Sequence, residues 1–233
     1  MVQYSREEII NECQKALADS RTFYQKEMIN YRGKTFDTNE YYTEVIAEFL
    51  CMNIDDFITG IPQITRKATY AVSGHMGNVP ISNREEERIA IEMFNQSSKD
   101  GCVFDHIGKI IAYQTPLKSK KDDVAGKIDL LAFDGSVLRI LELKKPDNVE
   151  SMLRCVLEGY TYLQTVDKNK LIRDFGFTDD ICVKASPFVY YEGTQKAELL
   201  QKRKWLTKLM GLLDSRAFYY KIVGKKYFVL EEV

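Results

Sequence analysis

The chain has 233 residues, a formal net charge of −1, two histidines and five cysteines. That length supports one large domain, or a domain with an appendage, around a substantial core, and the near-zero charge argues against a generally basic nucleic-acid protein. The five scattered cysteines make no C-x-x-C, so neither a disulfide framework nor a zinc site is supported. No Gly-rich P-loop points to ATP, and no run of about 18 apolar residues predicts a membrane span. The opening residues lack the apolar core of a signal peptide, so a cytoplasmic location is expected.

In chain order, Ser5-Arg6-Glu7-Glu8 starts a helix that buries Ile9, Ile10, Cys13, Ala16 and Leu17. A second helix is expected over residues 39–51. Residues 60–81 carry Gly and Pro and include a short strand at 68–72. Residues 1–80 read as a helical elaboration packed on a domain formed by 81–233. The next segment, 82–94, reads as a helix capped by Ser82 or Asn83, with acids in its first turn opposing the dipole and a stripe of Ile89, Ala90, Met93 and Phe94. Glu86 extends that stripe. A strand over 108–117 and a charged loop over 118–126 follow.

Two apolar strands then flank Asp134-Gly135, a dipeptide favoured in two-residue hairpin turns. Alternation places Ile140, Glu142 and Lys144 on one face. A two-residue turn pairs Phe133 with Ser136 and Asp129 with Ile140, making Asp129 and Glu142 diagonal neighbours roughly 7–8 Å apart at the backbone. A three-residue loop would put Asp129 on the opposite face. Strands this apolar on both faces are normally covered, so charges on them need partners. Two carboxylates and a lysine on one patch can hold a hard cation and activate water; the competing reading is a solvated polar face.

Asp147 and Glu150 resemble a capping box for a helix running to about residue 166, with Val149, Met152, Leu153, Val156, Leu157, Tyr160 and Leu163 on its apolar face. Arg154 and Glu158 stand at i,i+4, the spacing of an ordinary helical ion pair. A strand over 182–191, a helix over 194–213 and strands over 218–223 and 227–230 complete the α/β pattern. Lys196, Lys202, Arg203, Lys204, Lys208, Arg216, Lys221, Lys225 and Lys226 face only Glu198 and Asp214 over their stretch. They suit phosphate contact or a solvated lysine-rich face, and Trp205 suits base stacking or the core.

Asp129 followed by Glu142-Leu143-Lys144, after a strand and a hairpin turn, resembles the PD-(D/E)XK nuclease superfamily, the restriction-endonuclease-like fold. The resemblance covers roughly residues 80–190; Ile128 stands where many members carry proline. It implies an αβββαβ core, with the N-terminal helical elaboration and the C-terminal helix plus β-hairpin outside it. It implies a DNA-cleaving enzyme using Mg²⁺, with Mn²⁺ as substitute. Asp129 and Glu142 become metal ligands and Lys144 the residue that orients or activates water. Glu86, with Glu85 second, becomes the acid lent by the first core helix, unless both acids serve only the helix dipole. Arg154, Glu158 and Tyr162 become polar residues lent by the helix after the motif. With Lys202, Arg203 and Lys204, Arg154 and Tyr162 form the expected nucleic-acid contacts. A homodimer is compatible with this reading, and the alternative is a catalytically silent nucleic-acid- or protein-binding module on the same fold.

Overall fold

A computed structural model describes residues 3–72, 77, 84–118, 126–178, 180–201 and 203–230. Helix α1 (Arg6–Leu17) starts on a reciprocal capping box between Ser5 and Glu8 and buries Ile9, Cys13 and Ala16. Two short 3₁₀ segments, Ser20–Gln25 and Glu27–Asn30, lead to α2 (Tyr42–Met52) and α3 (Ile54–Thr59). The strand expected at 68–72 does not form. Tyr70 is fully buried there; its backbone N–H donates to the Asp174 carboxylate (2.8 Å) and its hydroxyl to the Ile64 carbonyl (3.3 Å). Side-chain partners thus replace a strand ladder. Ile64 instead forms an isolated parallel bridge with Val166.

Helix α4 (Glu85–Ser98) has Glu85, Glu86 and Glu87 in its first turn and buries Ile89, Ala90, Ile91 and Met93. Arg84 occupies the cap position without a side-chain capping bond; the expected caps Ser82 and Asn83 lie outside the described residues, as do residues 119–125 of the charged loop. Six strands then form one mixed sheet in sequential order: β1 (Lys109–Pro116), β2 (Lys127–Phe133), β3 (Val137–Leu143), β4 (Cys182–Tyr190), β5 (Phe218–Val223) and β6 (Lys226–Leu230). β1 and β3 each pair antiparallel with β2, β3, β4 and β5 are parallel, and β6 runs back along β5.

The hairpin between β2 and β3 departs from the two-residue turn. Phe133 pairs with Leu138 and Leu130 with Leu141. The cause is Asp134, whose Oδ1 accepts from the Ser136 N–H (2.9 Å) and the Val137 N–H (2.8 Å) and so keeps those two N–H groups from pairing with β2. Register moves by two residues, which preserves faces. Extended by one pair, it sets Asp129 directly opposite Glu142 instead of diagonal to it.

Both sheet faces are covered, which explains the near-continuous apolar runs of β2 and β3. Leu130, Ala132, Leu141, Leu143 and Phe188 pack with the α4 residues. Leu131, Leu138, Ile140 and Ala185 pack on the other face with α5 (Met152–Thr165) and are continuous with the N-terminal helices. α5 does not start on an Asp147–Glu150 box: Ser151 is its cap, accepting from the Arg154 N–H (3.1 Å), while Asp147 pairs with Lys145 (2.8 Å) and Val149 is exposed. α6 (Lys168–Asp174) leads into β4. The expected single helix over 194–213 is two, α7 (Thr194–Leu200) and α8 (Lys204–Leu212), because Arg203 is extended and turns inward between them.

Candidate active site

The C-terminal end of β3 gathers the charges. Glu142 and Lys144 are 3 % and 5 % exposed, far below the usual exposure of such residues. α5 packs closely on β3 here: a Cβ at Gly159 would lie 3.4 Å from the Glu142 Cβ, at the near limit of ordinary van der Waals contact. The Lys144 ammonium contacts three carboxylates, Glu142 (2.9 Å), Glu150 (2.8 Å) and Glu158 (3.1 Å), matching its three donors. Asp129, partly buried, accepts from Gln114 Nε2 (3.0 Å) and from the Leu143 N–H (3.1 Å). Glu86 reaches over from α4 and accepts from the Lys145 N–H (3.2 Å) and Asn148 Nδ2 (3.1 Å). Glu85 lies farther out, 3.6 Å from Lys145 Nζ.

Residues of α5 close the cluster. Tyr162 donates to Glu158 Oε1 (3.1 Å). Arg154 pairs chiefly with Glu150 (2.7 Å) and more distantly with Glu158 (3.7 Å), and its guanidinium also donates to the Tyr24 carbonyl (3.2 Å). Asp129, Glu142, Glu150 and Glu158 thus surround Lys144 and Arg154, an excess of acid in a desolvated place. Desolvation drives Glu142 well above the ordinary carboxylate range; the Glu158 charge adds to this and Lys144 opposes it. Burial likewise raises Asp129 to about 7 against the pull of Lys144. Burial alone would lower Lys144, but Glu142 and Glu158 outweigh it and hold the ammonium well above its ordinary value. Burial pushes the neighbouring Cys155 thiol up, which leaves it a poor nucleophile.

The structure brings together Asp129, Glu142, Lys144, Glu86, Arg154, Glu158 and Tyr162. It places Arg203 and Lys204 elsewhere. Lys202 lies outside the described residues. Arg203, expected among the exposed phosphate contacts, is 7 % exposed and faces inward. Lys204 is exposed, with its ammonium 4.9 Å from the Trp205 ring. Two site residues escaped the sequence reading. Glu150 reads in the sequence as half of a capping box, whereas its carboxylate meets Lys144. Gln114 adopts φ 46°, unusual for a non-glycine strand residue, and no sequence signal marks it.

Among the described residues, no group of three or more His, Cys, Asp or Glu side chains is arranged to hold a metal ion. Glu142 Oε2, however, is buried without a hydrogen-bond partner among those residues, an orphan that a cation would satisfy. Mg²⁺ is commonly held by only one or two carboxylates, with water and phosphate completing its shell. The donor set Asp129 and Glu142 therefore fits such an ion. Comparison with protein-family models, curated proteins and solved structures finds no match. No helix among the described residues is long and apolar enough to cross a membrane.

Proposed function

We propose that the chain is a metal-dependent nuclease that hydrolyses DNA phosphodiester bonds on a restriction-endonuclease-like αβββαβ core. The observation that carries this reading is the convergence of Asp129, Glu142 and Lys144 at one strand end, with Glu86 from the preceding helix and Glu158 from the following one. The order α4-β1-β2-β3-α5-α6-β4 contains an αβββαβ succession, with α6 inserted before β4, and supports the fold assignment. Asp129 and Glu142 would hold Mg²⁺ or Mn²⁺, whose chemistry is to polarise a phosphodiester and acidify water. Lys144, kept protonated by its carboxylates, serves as a fixed positive charge that stabilises the developing charge on phosphorus-bound oxygens. Its raised pKa favours this role over proton abstraction. Tyr162 and Arg154 hold Glu158 and Glu150 in place around it.

The test is cleavage of supercoiled plasmid, single strands and branched DNA with Mg²⁺ or Mn²⁺. Activity that requires the metal and disappears in Asp129→Asn and Lys144→Ala is the expected result. Wild-type turnover in Lys144→Ala would overturn the assignment. A second reading, a silent binding module on the same fold, is favoured by one observation: Lys144 already occupies the centre of the carboxylate cluster. In that case DNA or a protein partner binds without turnover, and divalent metal leaves the melting temperature unchanged.

A further inference from the structure

A second set of buried polar groups lies beyond the loop that follows β3. A pocket of about 180 Å³ is lined by Arg32, Tyr41, Thr43, Glu198, Gln201 and Arg203 among others. Arg32 and Gln201 at its mouth are exposed, whereas Thr43, Glu198 and Arg203 are buried. The Arg203 guanidinium stands 3.3 Å over the Tyr41 ring, donating to Thr43 Oγ1 (3.2 Å) and Gln201 Oε1 (2.7 Å). Its Nε has no hydrogen-bond partner among the described residues, although the side chain is more than nine-tenths buried. The Glu198 carboxylate accepts from Thr43 Oγ1 (2.9 Å) and from the Met152 N–H (2.9 Å) and makes no ion pair with Arg203 among the described residues. Arg32 is anchored through Nη2 to the carbonyls of Val149 and Glu150.

The Arg203 guanidinium hydrogen-bonds only to neutral groups, with the Glu198 and Glu44 carboxylates acting on it through space, and a buried guanidinium without a directly paired anion is costly. Two arginines against one carboxylate leave the pocket net positive. Its volume is below the roughly 300–1,000 Å³ of pockets for drug-sized ligands, so it suits a small group and not a whole nucleotide. We infer that this pocket binds a phosphate-sized oxyanion between Arg203 and Arg32, the residue type best matched to phosphate by its planar fork. The inference stands apart from the nuclease reading, since none of these side chains touches Asp129, Glu142 or Lys144.

The experiment is calorimetric titration of the full chain with inorganic phosphate at constant ionic strength, in EDTA, with chloride as the control. Saturable one-to-one binding is expected, weakened about tenfold or more in Arg32→Gln and in Arg203→Lys. Arg32 is exposed, so its variant keeps the test valid if Arg203→Lys fails to fold. Displacement of phosphate by a 5′-phosphorylated oligonucleotide, but not by its 5′-hydroxyl counterpart, assigns the pocket to a strand end. Displacement by neither assigns it to free phosphate. Absence of saturable binding, or equal affinity in wild type and Arg32→Gln, overturns the inference.

Discussion

The Lys144 cluster and the Arg203 pocket are both buried, both charged and both attached to the segment between β3 and α5, yet they are built with opposite balance. Around Lys144, one ammonium meets three carboxylates at 2.8–3.1 Å. Around Arg203, one guanidinium meets a threonine, a glutamine amide and an aromatic face. The first is a counterion whose loss strands acids; the second is a cation hydrogen-bonded to neutral groups, with Glu198 and Glu44 acting on it only through space. Desolvation is common to both, so the difference lies in what each leaves behind when it is removed.

Removing Lys144 should have the largest effect. Lys144→Ala leaves Glu142, Glu150 and Glu158 facing one another without their central cation, at an expected cost of about 3–5 kcal/mol in urea unfolding at pH 7. A loss under about 1 kcal/mol would show that the carboxylates relax outward or take up protons freely. Arg203→Ala strands no directly paired acid, so a smaller loss of about 2–3 kcal/mol is expected from unmade hydrogen bonds and lost packing on Tyr41. Equal losses at the two positions would dissolve the contrast between them.

Asp129→Asn sharpens the comparison through pH. The folded carboxyl keeps its proton up to about 7, whereas an ordinary Asp releases it near 3.8. In that window the native state binds the extra proton, so this group makes wild-type stability fall as pH rises, with no further change from it above about 7. The variant lacks that contribution. It should gain on wild type progressively across the window and end about 1 kcal/mol or more ahead above pH 7 in the absence of divalent metal. A constant difference across pH 4–8 would mean that Asp129 titrates normally. Smallest of all, Ser5→Ala removes the cap of α1, whose hydroxyl bonds Glu8 and no residue of either charge cluster, and should cost about 1 kcal/mol by thermal unfolding, with no effect on metal or phosphate binding.

Much of the site was legible because strand chemistry is local. Alternation placed Glu142 and Lys144 on one face before any tertiary contact was known, and an apolar strand on both faces demanded partners for them. The hairpin register was read wrongly by two residues, since the Asp134 side chain competes with the backbone for the Ser136 and Val137 N–H groups. The face survived only because an even shift leaves alternation intact. Helical position ranks Glu86 ahead of Glu85 without deciding between them, and the structure sets Glu86 on Lys145 N–H and Asn148.

By itself, then, the sequence determined the six strands, most of the helices and the strand-end trio of Asp129, Glu142 and Lys144, because periodicity and turn chemistry act within a few residues. Tertiary structure decided the partners. Glu150 and Glu158 come to Lys144 because α5 and the turn before it pack on β3, and Gln114 meets Asp129 only through the pairing of β1 with β2. Arg203 turns inward only because α2 offers Tyr41 and Thr43 at its N-terminal end. The Gln114–Asp129 and Arg203–Thr43 contacts join residues 15 and 160 positions apart; desolvation and the shape of the packed core select them, and no local pattern encodes either.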